Sequence, residues 1–369
     1  MTYNWQQKDW PHFTYRLDDV EDDLLLFAQK TGRASGILQT LPEDARLEAI
    51  IDTLVAEAIK TSEIEGEYLN RKDVRSSIRN NLGLNKKAEP VGDKRAAGVS
   101  ELMTDVRRAF KETLTTEKLY AWHHMLLQGR DDITVGAWRT HEDPMQIVSG
   151  AVDRRRVHYE APPSHRVPRE MERFIAWYNE TAPGGKNEIK RSPVRAAIAH
   201  LYFESIHPFE DGNGRIGRAL AEIALSQGLG QPVLLSLSKA IESDKNAYYL
   251  ALEHASLSNE VTAWINYFVK TVLQAQTESE QQIVFTLKKT KLFDRFKGEL
   301  NERQSTVVHR MLEEGPKGFQ GGMNARKYVS LTKTSKATAT RDMQDLLAKG
   351  VFSLLGDAGG RSTAYQVNL

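Results

Sequence analysis

Apolar positions recur along most of the chain with a helical period. From Leu47, the residues Ile50, Ile51, Leu54, Val55, Ala58 and Ile59 fall every three to four positions. That spacing predicts a helix with one buried stripe, ending near Gly66, a residue suited to close it. The same period predicts helices over 99–127, 168–180, 192–206, 214–227, 244–256 and 260–290, with Gly228 and Gly230 as stops. Two short runs depart from it. MQIVSG at 145–150 and VHYEAP at 157–162 are rich in β-branched and aromatic residues, flank AVDRRR and are closed by Pro162 and Pro163, which predicts a β-hairpin. The polar, turn-rich stretch over 80–98 predicts a loop. Trp5, Trp10, Phe13, Tyr15 and the apolar run at 24–27 predict an N-terminal segment packed on the body.

The tail has its own rhythm. A helix to Glu314, a Gly-rich loop over 315–322, a short element near Ala325, a helix within 334–347 and two short strands around a Gly-rich turn over 351–367 make the order helix, helix, helix, hairpin. That order predicts a winged helix-turn-helix. The expected architecture is therefore mostly α, with an N-terminal helical segment over 1–98, a helical core with its hairpin over 99–290 and the winged helix-turn-helix over 291–369.

Composition narrows the chemistry. At 369 residues the chain exceeds the ~250 at which one core usually stops growing, so several domains are expected. No run reaches the ~20 apolar residues of a membrane span, and the opening MTYNWQQKDW lacks the order of a signal peptide, so a cytoplasmic protein is expected. The absence of cysteine excludes disulfides, thiolate catalysis and Cys-ligated zinc. A net charge of +1 conceals an asymmetry: from Lys288 on, 15 basic against 8 acidic residues give +7, leaving −6 for residues 1–287.

The densest cluster of chemistry is SIHPFEDGNGRIGRAL at 205–220, between two amphipathic helices. Gly212 and Gly214 permit positive φ and close approach, and the amides that open the following helix form an anion site. Arg215 and Arg218, three apart, can converge on phosphate oxygens. Asp211 offers the hard oxygen that Mg²⁺ prefers, and His207 can accept a proton from a hydroxyl. His123, His124 and His200 lack metal-site spacing and are expected to be structural.

HPFxDGNGRxxR resembles the signature of the Fic (Fido) family at every defined position: His207, Pro208, Phe209, Asp211, Gly212, Asn213, Gly214, Arg215 and Arg218. The resemblance covers roughly residues 100–275 and implies transfer of AMP from ATP to a Ser, Thr or Tyr hydroxyl of a target protein, with release of pyrophosphate. It implies that His207 is the base, that Asp211 holds Mg²⁺, and that Asn213 and the amides of Gly212 and Gly214 cradle the α-phosphate. Arg215 and Arg218 would hold the outer phosphates, with Phe209 anchoring the loop. The hairpin resembles the family's flap, whose Ile147, Val148, Ser149 and Gly150 would pair with the target's backbone. Tyr248 and Tyr249 resemble the pair lining the family's adenine pocket; Ser256 stands where many relatives carry Asn.

TSEIEGE resembles the family's inhibitory motif through Thr61, Glu65 and Gly66. This implies that Glu65 occupies Arg218 and keeps ATP from aligning, within one chain or across a homodimer. Other outcomes stay open: removal of AMP by the same site, a different nucleotide or phosphocholine donor, or a DNA-binding regulator whose core only senses nucleotide. The basic tail suits DNA or protein docking, with Asp342 and Asp345 on the would-be recognition helix.

Overall fold

The computed structural model of the chain describes residues 2–149, 156–355 and 363–369. Their secondary structure is mostly helical: α1 (Glu21–Thr40), α2 (Glu43–Ile64), α3 (Arg71–Asn81), α4 (Lys94–Arg108) and α5 (Thr116–Leu127) come first. Then follow the hairpin strands β1 (Gln146–Ser149) and β2 (Arg156–Glu160), and helices α6 (Val167–Glu180), α7 (Ser192–Ile206), α8 (Asn213–Leu229), α9 (Leu237–Ser243), α10 (Lys245–Ala255) and α11 (Thr262–Arg295). Helices α12 (Glu302–Leu312), α13 (Ala325–Thr332) and α14 (Lys336–Ala348) and strands β3 (Phe352–Leu354) and β4 (Tyr365–Val367) complete the chain. No described helix is long and apolar enough to cross a membrane.

The residues cluster into two compact units. One comprises the chain up to Thr31 together with Ile50–Ser279, the other Gly32–Ala49 together with Glu280–Leu369.

In the first unit α7 lies at the centre, and all of its residues are buried. Its sequence explains this: Ala196, Ala197 and Ala199 let neighbours approach, while Ile198, Leu201, Tyr202, Phe203 and Ile206 fill volume. The segment of α2 within this unit buries Ile51, Leu54, Val55 and Ala58, the stripe its period predicts. The N-terminal tryptophans are anchored as well as buried: Trp5 donates its indole N–H to the Glu160 carbonyl (2.8 Å) and Trp10 donates to Glu170 (2.9 Å). Two boundaries differ from expectation. The helix expected over 99–127 is broken into α4 and α5, because Thr115 caps a new start by accepting from the Lys118 amide, while Phe110 and Leu114 of the break stay buried and keep the apolar period running. The loop expected over 80–98 is shorter, since α3 reaches Asn81 and Asp93 caps α4 by accepting from the Arg95 amide.

The second unit has its own core, in which Val307, Val308, Met311 and Leu312 of α12 meet Tyr328 of α13, Ala339, Met343 and Leu346 of α14, and Phe352 of β3. Strands β3 and β4 pair antiparallel, Phe352 opposite Val367 and Leu354 opposite Tyr365. The Gly-rich turn expected between them falls largely on residues outside the described set. Asp342 faces this core: it accepts from Arg303 Nε (2.8 Å), the Tyr328 hydroxyl (3.0 Å) and Asn301 Nδ2 (3.4 Å).

Candidate active site

Residues 207–212 join α7 to α8 in a loop that the chain holds rigidly. His207 ends α7 in the left-handed region (φ 50°, ψ 60°), which costs a non-glycine residue roughly 1–2 kcal/mol. Arg139 supports that backbone. Its Nε donates to the His207 carbonyl (2.8 Å), its Nη2 to the carbonyls of Pro162 (2.6 Å) and Ile206 (3.3 Å), and its own amide to the Pro208 carbonyl (2.9 Å). Burial lowers the Arg139 pKa to about 10, still well above neutrality. The Asn213 side chain closes the loop by accepting from the Phe209 amide (3.0 Å) and donating to the Phe209 carbonyl (2.9 Å). Phe209 is fully buried and stacks on His123, with ring centres 4.1 Å apart. His123 accepts from the Gly136 amide at Nδ1 (2.8 Å), which leaves Nε2–H to donate to the Asp211 carbonyl (3.2 Å). Burial holds its pKa down to about 4, so this scaffold is neutral.

The His207 side chain is mostly buried, 13% exposed, and its pKa is lowered to about 4, first by burial and then by the nearby Arg139 cation. It is therefore an unprotonated base at neutral pH. Its Nδ1 has no hydrogen-bond partner among the described residues and lies 3.7 Å from Glu204 Oε2. Burial, reinforced by Glu65, raises the Glu204 pKa to about 8, so the carboxyl is mostly protonated at pH 7 and the contact is not an ion pair.

Gly212, at φ 83°, is the N-cap of α8, and no side chain caps that helix. Its first amides are thus available to an anion. The two motif arginines are already engaged. Arg218 donates from Nε to Thr61 Oγ1 (2.8 Å) and from Nη2 to the Thr61 carbonyl (3.0 Å) and Glu65 Oε1 (2.7 Å). Burial alone would lower the Arg218 pKa, but Glu65, with Tyr248 and Glu204 adding to it, outweighs burial and the net shift is upward. Arg215 donates to Glu67 Oε2 (3.0 Å) and to Asp211 Oδ1 (3.3 Å). Glu65 also reaches over the loop, since a Cβ added at Gly214 would lie 2.2 Å from its Oε1. Gly66 closes this helix end at φ 82°.

A cavity of about 680 Å³ opens beside these groups, lined by Glu65, Glu204, His207, Gly214, Tyr248, Tyr249, Ser256 and the flap residues Ile147 and Val148. Tyr248 is buried with its hydroxyl 2.8 Å from His200 Nε2, whereas Tyr249 is 41% exposed. The Tyr249 hydroxyl donates to the Ile64 carbonyl (3.2 Å), which also accepts from Lys245 Nζ. Strand β1 pairs only with β2 among the described residues, and Ile147 and Val148 are exposed. Ser149 ends β1 opposite Arg156; Gly150 lies outside the described residues. Glu253 of α10 accepts from Arg156 and lies 2.7 Å from His158 Nδ1, tying β2 down.

Asp211 accepts from Arg215 and from Arg130 Nη1 (3.1 Å), one cation at each oxygen. No group of three or more His, Asp or Glu suited to a metal exists among the described residues. A single half-exposed carboxylate fits Mg²⁺ arriving with phosphate oxygens, and does not fit a resident protein-bound metal.

The sequence placed His207, Asp211, Arg215, Arg218, Thr61 and Glu65 around one site, and the fold brings them together. It gave no sign of Arg139, of His123 as a stacking partner, of Glu204 beside the base or of Glu67 on Arg215. Arg139 lies in the GAWR segment, but its partners are the Ser164 hydroxyl and the carbonyls of Pro162, Ile206, His207 and Pro208, which no local pattern records.

Residues 113–225 match the Fic/DOC family, and residues 3–84 match a domain of unknown function (DUF4172). Protein adenylyltransferase fic-1 of Caenorhabditis elegans is 25% identical over 178 residues, covering 48% of this chain and 30% of the relative. A probable protein adenylyltransferase of Aquifex aeolicus is 28% identical, over 38% of this chain and 40% of its own length. The matched regions thus span well under half of these relatives. Among solved structures, a Fic family protein from Desulfovibrio desulfuricans G20 superimposes with a TM-score of 0.57 at 20% identity, covering 97% of this chain and 98% of that one. Fic-1 (residues 134–508) from C. elegans does so with a TM-score of 0.50 at 20% identity, over 73% of this chain and 74% of that one. Motif, fold and family match coincide on one segment: residues 113–225 of this chain are a Fic/DOC-family domain.

Proposed function

We propose that the chain transfers AMP from ATP to a Ser, Thr or Tyr hydroxyl of a target protein, and that the helix end carrying Glu65 restrains the reaction. One observation carries this reading: an unprotonated histidine and the first turn of an uncapped helix line one cavity together with Glu65, the carboxylate that holds Arg218, while the second buried arginine of that helix, Arg215, is held by Glu67. The names of the matched relatives support the same reaction class. His207 takes the proton of the incoming hydroxyl. The hydroxyl oxygen bonds to the α-phosphorus as the bond to the bridging oxygen breaks, and pyrophosphate leaves. The α8 amides and the guanidiniums of Arg215 and Arg218 hold the phosphates, so that catalysis rests on positioning and charge stabilisation. Asp211 would hold Mg²⁺, which supplies charge neutralisation between phosphates when bound. Tyr248 and Tyr249 would flank the adenine, and the free edge of β1 would take the target segment as an added strand.

With Glu65 on Arg218, the guanidinium needed by the outer phosphates is occupied, which is the proposed restraint. The test is incubation with Mg²⁺ and ATP labelled on the α-phosphate, using the parent, Glu65→Gly and Glu65→Gly/His207→Ala. Label should enter protein with Glu65→Gly and vanish with the double variant, while γ-labelled ATP gives none. Label from the γ position, or labelling that survives loss of His207, would overturn the reading.

A further inference from the structure

The second unit places α13 and α14 in succession around a tight turn, and the two helices treat positive and negative charge in opposite ways. Lys333, in the turn, adopts the left-handed conformation (φ 55°) that closes α13, and Ser335 caps α14 by accepting from the Thr338 amide. Along α14, Ala339, Asp342, Met343 and Leu346 are buried, whereas Lys336, Ala337, Thr340, Arg341, Gln344, Asp345, Leu347 and Ala348 are exposed. Of these, Ala337, Thr340, Arg341, Gln344 and Ala348 follow i, i+3, i+4, i+7 and form one continuous stripe, with Asp345 at its flank.

The carboxylates of these helices are already engaged within the unit. Asp342 is buried and held by Arg303, Tyr328 and Asn301, and the exposed Asp345 accepts from Gln304 (2.7 Å) and Lys349 (2.6 Å). Most of the cations are not: Arg326, Lys333, Lys336 and Arg341 are exposed and make no ion pair among the described residues. Asp342 therefore does not reach the outward face of α14, and Asp345 at its flank is matched by Lys349.

We infer that this unit binds double-stranded nucleic acid of the B-form, with the exposed stripe of α14 in the major groove. A helix of this kind fits that groove. Lys333, Lys336 and Arg341 contact backbone phosphates, and Thr340 and Gln344, uncharged and on the same stripe, face base edges. An acidic protein partner would satisfy the same cations, but it would give the polar pair Thr340 and Gln344 no edge pattern to read.

The test uses the full chain and a fluorescent mixed-sequence DNA duplex of about 20 base pairs, followed by anisotropy. Binding with a Kd of ~10⁻⁴–10⁻⁶ M or tighter is expected at physiological salt. Three phosphate contacts predict about a fortyfold loss of affinity between 50 and 200 mM salt. The triple variant K333E/K336E/R341E should bind at least tenfold more weakly and show a shallower salt slope. The control K86E/K87E/K186E, with the same change in charge on exposed residues of the first unit, should bind as the parent does. T340A/Q344A should keep most of the affinity but flatten the base preferences found by selection from a random duplex pool. The inference is overturned by no binding at ~10⁻⁴ M chain in 50 mM salt, by equal weakening in both triple variants, or by equally tight, equally salt-dependent binding of polyglutamate. Circular dichroism of each variant confirms that a loss is not one of folding.

Discussion

The start of α8 and the α13–α14 pair both gather positive charge, yet they hold it in contrasting ways. On α8, Arg215 and Arg218 are nearly fully buried and each lies against a carboxylate from just beyond α2, Glu67 and Glu65 respectively. On α14, Asp342 is buried while Lys336 and Arg341 face solvent. A buried guanidinium must have a partner, because leaving it uncompensated costs several kcal/mol, so a site built to receive phosphate needs a stand-in while it is empty. An exposed cation is solvated by water and needs none. Availability to a phosphate therefore means displacement of a carboxylate in the first region and mere approach in the second.

That contrast can be broken at several points. The largest effect is expected from His207→Ala in a Glu65→Gly background, since loss of a general base costs ~10²–10⁴ in rate; labelling kinetics at equal thermal stability would measure it, and an unchanged rate would remove His207 from the chemistry. Asp342→Ala tests the other region. It strips the acceptor from the buried Tyr328 hydroxyl and from Asn301, while Arg303 is exposed and can turn to water, so the second unit should lose about 1–3 kcal/mol in denaturant unfolding. A loss below about 1 kcal/mol would mean that Asp342 is solvated as an ordinary surface charge. Glu65→Gln keeps size and helix propensity but removes charge, and a charge-assisted bond of about 1.5–3 kcal/mol predicts a tenfold to hundredfold gain in labelling. Adding Arg218→Ala should erase that gain.

Glu67→Gln should raise labelling by less, about severalfold, because Arg215 keeps Asp211 as a second carboxylate. If the double variant Glu65→Gln/Glu67→Gln gains no more than Glu65→Gln alone, Glu67 is only a helix-end charge. The smallest effect concerns pH. The His207 pKa is depressed to about 4, so protonation of this base removes activity as pH falls toward 4, and between pH 8 and 6 the rate of Glu65→Gly should show no inflection from it. An acid limb centred near the ordinary histidine value of about 6.5 would show that the ring is solvated in the working enzyme.

The parts of this site that the sequence disclosed are those whose chemistry is local. Gly212, Asn213, Gly214, Arg215 and Arg218 act within three turns of one helix start, and Thr61 and Glu65 lie four apart, so spacing gathered each set and the resemblance to the Fic family joined the two. What escaped was the support. Arg139 and His123 serve the loop through backbone atoms far away in sequence, and Glu204, one turn before the base, looks in the sequence like any polar residue of an amphipathic helix. The break between α4 and α5 escaped for the converse reason: buried Phe110 and Leu114 keep the apolar rhythm while the backbone leaves the helix. Asp342 could be placed on α14 from sequence, but its inward direction depends on Arg303 and Tyr328, residues of two other helices.

The carbonyl of Ile64 sets up an exchange between two distant-seeming events. It is held by Lys245 and by the Tyr249 hydroxyl, and both of those side chains line the cavity. An occupant that recruits Tyr249 or Lys245 withdraws a tether from the last turn of α2, and linkage requires the converse in equal measure: whatever clamps that turn lowers the occupant's affinity by the same factor. Affinity at the tyrosine wall and docking of the helix end are thus two gauges of a single coupling, and Tyr249→Phe, which deletes one of the two tethers while keeping the ring, is the substitution that weakens it.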